Sequence, residues 1–213
     1  LEGVLRWGDH WMKGIATGVM AEPALRVWLQ NSVPPRTCYS HRPGRWVAED
    51  RWPSPRLRDW RLFPAQGQLA DLPEAGHASI CSPLWVGAAA GEIGRYGDEA
   101  DWPTDQREDD GGSLVWMTAR LPETVEILGA PRLHLRVASD KALALVAVRL
   151  NDIAPDGAST RVTLGLMNLA HHKGHNRPQP LVPGEPVDVV VELDDIAHSF
   201  PAGHRIGLSL SST

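Results

Sequence analysis

The apolar positions of the 213-residue chain change period after Pro23. Before it, Leu1, Leu5, Met12 and Ile15 fall on one helical face with Val4 and Trp11 beside them, and Gly14 and Gly18 bracket the end, so the first fifteen residues are predicted to be a helix. The stripe is broad for a lone helix and asks for a large partner surface. Residues 1–20 are therefore expected to stand outside the core formed by the rest of the chain. After Glu22-Pro23, Leu25, Val27 and Leu29 alternate with Arg26, Trp28 and Gln30, the pattern of a half-buried strand. Ser32 to Pro35 breaks it. Residues 41–55, rich in Pro, Gly and Trp, read as a long ordered loop, and residues 56–63 carry a weak strand pattern. Residues 64–112 have little periodicity and are expected to lie outside the core, in a stretch long enough to be functional or packed on a neighbour.

From Ser113 the pattern is plainly β. Strands are predicted at Leu114–Met117 and Val125–Leu128, and at Leu133, Leu135 and Val137 alternating with Arg132, His134 and Arg136. Ala142 to Leu150 is a continuous apolar run, which suits a strand buried on both faces. Pro155-Asp156-Gly157 turns the chain into a hairpin partner at Arg161–Leu169. Pro183-Gly184 introduces Val187, Val189, Val191 and Leu193, and Pro201-Ala202-Gly203 introduces Ile206, Leu208 and Leu210. Short strands separated by regular Pro/Gly turns imply a mainly β sandwich or jelly roll. The chain stops on an apolar strand, which we read as a domain cut short at its C-terminal end.

Composition narrows the function. The formal net charge of -5 leaves no basic excess for phosphates, so no nucleic-acid partner is expected, and no apolar run reaches a membrane span. Two cysteines, Cys38 and Cys81, suit reduced thiols in a cytoplasmic protein. Nine Trp against two Tyr and two Phe are unusual. Their scatter argues for core or interface positions rather than one ligand groove.

Candidate chemistry is sparse. No G-x-S-x-G pentapeptide is present, so no catalytic residue is assigned. His171, His172 and His175 cluster between two strands, where helical spacing does not apply and no Cys or acidic third ligand is near. A solvated loop is expected there rather than a metal, and no cofactor is expected elsewhere. Asp105, Glu108, Asp109 and Asp110 form an acidic patch whose spacing fits no calcium loop, with Arg107 paired to one carboxylate. His204-Arg205 and Asp194-Asp195 flank the turn at 201–203, and Arg205 is expected to pair with an aspartate across it in a structural role.

Several segments taken together carry a resemblance. Trp11-Met12-Lys13-Gly14-Ile15 and Gly18-Val19-Met20 resemble the end of the hydrolase domain in the CocE/NonD family of serine hydrolases, which includes cocaine esterase and relates to Xaa-Pro dipeptidyl-peptidases. Asp105-Gln106-Arg107 with Asp109-Asp110, Val125 to Gly129, Asp152 to Gly157, and Phe200 to Ile206 running into Ser209 to Ser212 resemble that family's C-terminal domain. The resemblance implies a galactose-binding-like jelly roll over residues 21–213, with residues 1–20 left over from an upstream α/β-hydrolase domain. It implies that the Ser-Asp-His triad lies in that upstream domain, so the chain alone should be inactive. Its partners would be the hydrolase and cap domains, an ester or peptide substrate in the full enzyme, and optionally a second copy. It also turns the segment Glu92 to Trp102 toward the active site, which makes Arg95, Tyr96 and Trp102 the pocket candidates. Asp105, Arg107, Asp156, His204 and Arg205 are left as structural motif residues. The competing expectations are a free-standing carbohydrate-binding jelly roll, separable by a glycan screen, and a complete enzyme using the His cluster with a metal.

Overall fold

A computed structural model describes residues 1–92 and 101–213. Helix α1 (Glu2–Lys13) ends where Gly14 turns left-handed at φ 70° and the Ile15 N–H bonds to the Asp9 carbonyl at 3.1 Å. It is slightly shorter than the expected fifteen residues because that glycine stops it. No residue of α1 is buried, and Leu5, Trp7, Trp11, Met12 and Ile15 are all exposed. Its close neighbour is the 3-10 turn at Val19–Ala21. Arg6 and Thr17 exchange two bonds of 3.1 Å, and Arg6 pairs with Glu22.

The described residues also form twelve strands: β1 (Leu25–Asn31), β2 (Gly44–Glu49), β3 (Phe63–Ala65), β4 (Gln68–Ala70), β5 (Leu114–Met117), β6 (Val125–Gly129), β7 (Arg132–Val137), β8 (Leu145–Ile153), β9 (Ser159–Asn168), β10 (Val187–Glu192), β11 (Ile196–Phe200) and β12 (Arg205–Ser211). A second, one-turn helix, α2, covers Arg107–Asp110. The strands form a six-stranded sheet in the order β3-β4-β5-β12-β8-β9, a four-stranded sheet in the order β2-β1-β11-β6, and a ribbon of β10 and β7. Pairing is antiparallel except between β1 and β11 and between β4 and β5.

The ribbon and the four-stranded sheet cover the same face of the six-stranded sheet. Under the ribbon, Val146 and Val148 of β8 and Leu208 and Leu210 of β12 pack with Val189 and Val191 of β10, and Leu133 and Leu135 of β7 close over them. Beside that cluster, Phe200 of β11 packs with Ile206 of β12 and Leu121, and Val125 and Ile127 of β6 join them. The architecture is thus the expected mainly β sandwich, and burial of these aliphatic faces supplies its main driving force. Gly165 is required where β9 passes β10: a Cβ there would stand 2.7 Å from the Glu192 carbonyl oxygen.

The opposite face of the six-stranded sheet is also buried, but it is polar. Arg149, Asn151, Ser209 and Ser211 lie there under the segment that runs through α2. Arg149 sits 2.9 Å from Asp110 and 3.7 Å from Asp109, both on α2. Ser209 donates to Asp110 at 2.6 Å, Asn151 to Ser209 at 3.2 Å, and Arg149 to Ser113 at 2.9 Å. The other Asp109 oxygen accepts the Gly87 amide at 2.8 Å, which ties the 82–90 turns to the sheet.

These facts correct several expectations. Residues 64–112 are not outside the core: Leu69 belongs to the main apolar cluster, and Val86, Ala89, Gln106 and Asp109 are buried. The segment lacks periodicity because it covers a sheet with turns rather than with a regular element. The loop expected at 41–55 contains β2, an edge strand in register with β1. The weak strand at 56–63 shrinks to the start of β3. Of the core or interface positions expected for the nine Trp, the core part fails: none is buried, Trp116 only packs against the edge of the main cluster, and Trp7, Trp11, Trp46, Trp52, Trp60 and Trp85 are exposed. The acidic patch divides as well: Arg107 pairs with Asp105 as expected, while Asp109 and Asp110 turn inward to Arg149.

Candidate functional site

A cleft of about 120 Å³ opens where β1, β9 and β11 meet the segments around residues 39–42 and 101–103. Three features place its side chains. Trp102 is anchored by its amide, which donates to the Thr37 carbonyl at 2.8 Å. Tyr39 is fixed by its hydroxyl, which donates to the Pro34 carbonyl at 2.7 Å and accepts the Arg36 amide at 3.0 Å. The Tyr39 and Trp102 rings meet edge to face with centroids 5.9 Å apart. Arg161 is set by an irregularity in β9: Thr163 pairs with Leu150 and Arg161 with Asn151, so Val162 is an extra residue.

Two guanidinium groups face this cleft. Arg42 lies 4.7 Å from the Tyr39 centroid and 5.3 Å from the Trp102 centroid, within cation–π range of both. Burial lowers its pKa, with Tyr39 acting weakly in the other direction. Arg161 is also half-buried, and its pKa is lowered first by burial and then by the like charge of Arg149, against which Asp194 and Asp109 act. Arg42 Nε and Arg161 Nη1 are buried atoms without a hydrogen-bond partner.

Of the pocket candidates, Trp102 is a wall of this cleft, whereas Arg95 and Tyr96 lie outside the described residues. Tyr39, Arg42 and Arg161 are not singled out by the sequence. The one signal for Arg161 is an arginine opening an otherwise apolar strand.

The motif residues gather elsewhere, at the tips of the β8–β9 hairpin and the 201–203 turn. Asp105 pairs with Arg107 at 2.6 Å and accepts the Arg107 and Ser159 amides at 3.1 and 3.2 Å, fastening the approach to α2 onto β9. Burial pushes the Asp105 carboxyl up, and these bonds, Arg107 foremost, hold it below its ordinary value. Asp156 accepts the Ala158 amide at 3.0 Å within the hairpin turn. Arg120 bridges the two turns by donating to the Gly203 and Pro155 carbonyls. Arg205 does not pair with an aspartate: it donates to the Thr118 carbonyl at 2.7 Å. The aspartate partner belongs to its neighbour, with His204 Nδ1 2.7 Å from Asp152.

Asp152 is a buried node. His198 Nε2 stands 3.0 Å from its other oxygen, and Ser32 adds a side-chain bond. Burial acts to raise the Asp152 pKa, but the bonds from His198, Ser32 and His204 together hold it below the ordinary carboxylate value. Here the serine hydroxyl bonds to the carboxylate, whereas a catalytic triad places the imidazole between hydroxyl and acid. Among the described residues no group of three or more His, Cys, Asp and Glu is placed to hold a metal ion. His171 and His175 meet through ring nitrogens 3.1 Å apart just beyond β9. No helix among the described residues is long and apolar enough to cross a membrane.

Comparison with known proteins supplies the context. A family model described as the X-Pro dipeptidyl-peptidase C-terminal non-catalytic domain matches residues 17–213. A protein of Mycobacterium bovis that carries the name serine esterase is 25% identical over 232 residues, spanning 98% of this chain and 35% of its own. An α-amino acid ester hydrolase of known structure superposes with a TM-score of 0.62 and 26% identity over 80% of this chain and 32% of its own. A CocE/NonD family hydrolase from Staphylococcus aureus covers 100% of this chain and 38% of its own at a TM-score of 0.66 and 16% identity, a likeness of fold. The chain spans about a third of the length of these proteins.

Proposed function

We propose, from the premise that the chain belongs to the family of X-Pro dipeptidyl-peptidase C-terminal non-catalytic domains, that it serves as the accessory β-sandwich of a serine hydrolase. In this reading residues 21–213 brace an upstream α/β-hydrolase domain, and residues 1–20 pack as part of that domain. Trp102 and its neighbours form one side of the hydrolase's substrate pocket, open to an ester or peptide substrate.

The observation that carries the proposal is the unpartnered apolar surface. Leu5, Trp7, Trp11 and Met12 stand exposed on α1 with Ile15 just beyond it, and four further Trp are exposed on the remainder of the chain. A soluble domain rarely leaves so many large apolar groups in water unless they meet a partner. The unbonded, exposed Cys38 and Cys81 agree with a reducing, cytoplasmic setting.

Three measurements test this. Deleting residues 1–20 should leave a cooperative thermal transition in the remaining sandwich, and loss of that transition would make α1 integral to it. In a hydrolase that carries this chain, Trp102→Ala should alter the ratio of kcat/KM between bulky and small esters. Equal loss for all esters, with earlier melting, would make Trp102 a seal between domains instead. The 213-residue chain alone should not hydrolyse p-nitrophenyl esters above background. The exposed indoles also suit stacking on sugars, and strong glycan-array binding by the isolated chain would favour a carbohydrate-binding module.

A further inference from the structure

We propose that the cleft bounded by Arg42, Arg161, Tyr39 and Trp102 is a binding site for a carboxylate attached to a small apolar or aromatic body. The inference shares Trp102 with the pocket wall proposed above, but it rests on residues of this chain alone and can be tested without the hydrolase domain.

Charge is the first support. Half-buried arginines are ordinarily matched by a carboxylate, since removing a cation from water is costly unless it is paired. Among the described residues no acid forms an ion pair with either arginine, and Asp101, beside Trp102, is exposed. Asp109 and Asp110 are engaged with Arg149, and Asp194 is exposed on the link between β10 and β11, making no ion pair with either arginine. Arg42 is left with two aromatic rings, and Arg161 has the like charge of Arg149 as its strongest electrostatic neighbour. Arg42 Nε and Arg161 Nη1 are buried donors with nothing to donate to.

Shape and lining narrow the ligand. About 120 Å³ holds a small organic acid but not a peptide. A guanidinium presents parallel N–H donors that match a planar carboxylate. The remaining walls include Tyr39, Trp102, Val162 and Ile196, which offer apolar contact to a ring or branched chain, beside Pro103 and the uncharged polar Gln30 and Thr160. Inorganic phosphate would meet the arginines but waste those walls. The carboxylate can arrive on a free small acid or on an acidic side chain of an adjoining protein segment, and the two sources are separable.

The experiment is calorimetric titration of the 213-residue chain with benzoate, benzamide and inorganic phosphate, with the Arg42 Nε–Hε resonance followed by NMR. Benzoate is expected to bind and shift that resonance, with benzamide and phosphate at least about tenfold weaker, the discrimination expected of a charge-assisted bond in a partly dry site. Arg42→Met and Arg161→Met should each weaken benzoate by about tenfold. Should Arg161→Met fail to fold, Arg42→Met, which lies outside the strands, decides. In a longer protein that carries the chain, unchanged benzoate binding identifies a free acid as the ligand. Loss of binding with the Arg42 resonance already at its shifted position identifies a protein carboxylate seated in the cleft. Equal binding of benzoate and benzamide, phosphate binding as tightly as benzoate, or benzoate affinity unaltered in Arg42→Met would overturn the proposal, as would an Arg42 resonance unmoved by benzoate.

Discussion

On one side of β8, Val146, Val148 and Leu150 meet the aliphatic side chains of the ribbon and the four-stranded sheet; on the other, Arg149 and Asn151 meet α2 and the turns before it. Both sides are dry. The apolar side gains from burial in proportion to area and depends little on direction. The polar side gains only if each group finds its partner, since a buried unpaired charge or amide costs several times what a satisfied one contributes. The difference teaches that stability resides mainly in one face and the placement of residues 82–113 in the other. A chain that merely collapsed would keep the first and lose the second.

The sharpest way to break this contrast is Arg149→Met. It strips the cation from two inward carboxylates, and we expect a loss of about 3–5 kcal/mol in urea unfolding. Leu208→Ala on the apolar face should cost about 2–3 kcal/mol through lost burial and a residual cavity. If Leu208→Ala proved the more damaging, the polar face would be an ornament on the sandwich rather than a constraint on it.

Asp152→Asn probes the polar node near the 201–203 turn, and about 1.5–3 kcal/mol is expected near neutral pH from the weakened charge-assisted bonds. Because the folded carboxyl is held below its ordinary value, its contribution is present above the unfolded pKa of about 3.9 and is lost as pH falls through the lower folded value. The gap between wild type and variant, read from urea midpoints, should therefore hold level from pH 7 down to about 4 and narrow progressively below that. A gap that stayed constant would mean that the lost stability came from shape and not from charge. Arg107→Ala is the smallest test. Its side chain is 61% exposed and its direct pair with Asp105 is open to solvent, so a urea midpoint indistinguishable from wild type is expected.

Legibility in the sequence divides the same way. β7 begins and ends where the alternation of apolar residues begins and ends, because one period-2 face is committed to the core, and β5 coincides with the short apolar run Leu114–Met117. β8 reads correctly as buried on both faces, but its run of Val and Leu gives no hint that Arg149 is buried against α2 and Asn151 against Ser209 of β12. β11 escapes notice because its inward residues include His198 and Ser199, which read as polar loop until Asp152 and the neighbouring strands supply their surroundings. β2 is hidden by Pro, Gly and Trp around an edge strand, where alternation carries little penalty for error. The cleft is the least legible part. Trp102 is reachable as the aromatic of a segment set by resemblance, but Arg42 and Arg161 are 119 positions apart (161 − 42) and meet only through tertiary structure.

The position of β12 bears on how the molecule is made. β5 and β8 are not hydrogen-bonded to each other; each pairs with β12, which lies between them in the sheet and far behind them in the chain. A ribosome that has just finished β8 at residue 153 must add about 50 further residues before β12 begins at residue 205. At about 5–20 residues per second that is a wait of roughly 3–10 s. During it the hairpin of β8 and β9 can close, but the edge of β8 that will receive β12 stays bare, carrying Val146, Ala147 and Val148 beside unsatisfied amides. Such an edge is a template for pairing with a neighbour on the same polysome. Yield of soluble protein should therefore respond to slowed translation of residues 154–204 more than to slowed translation of any earlier stretch.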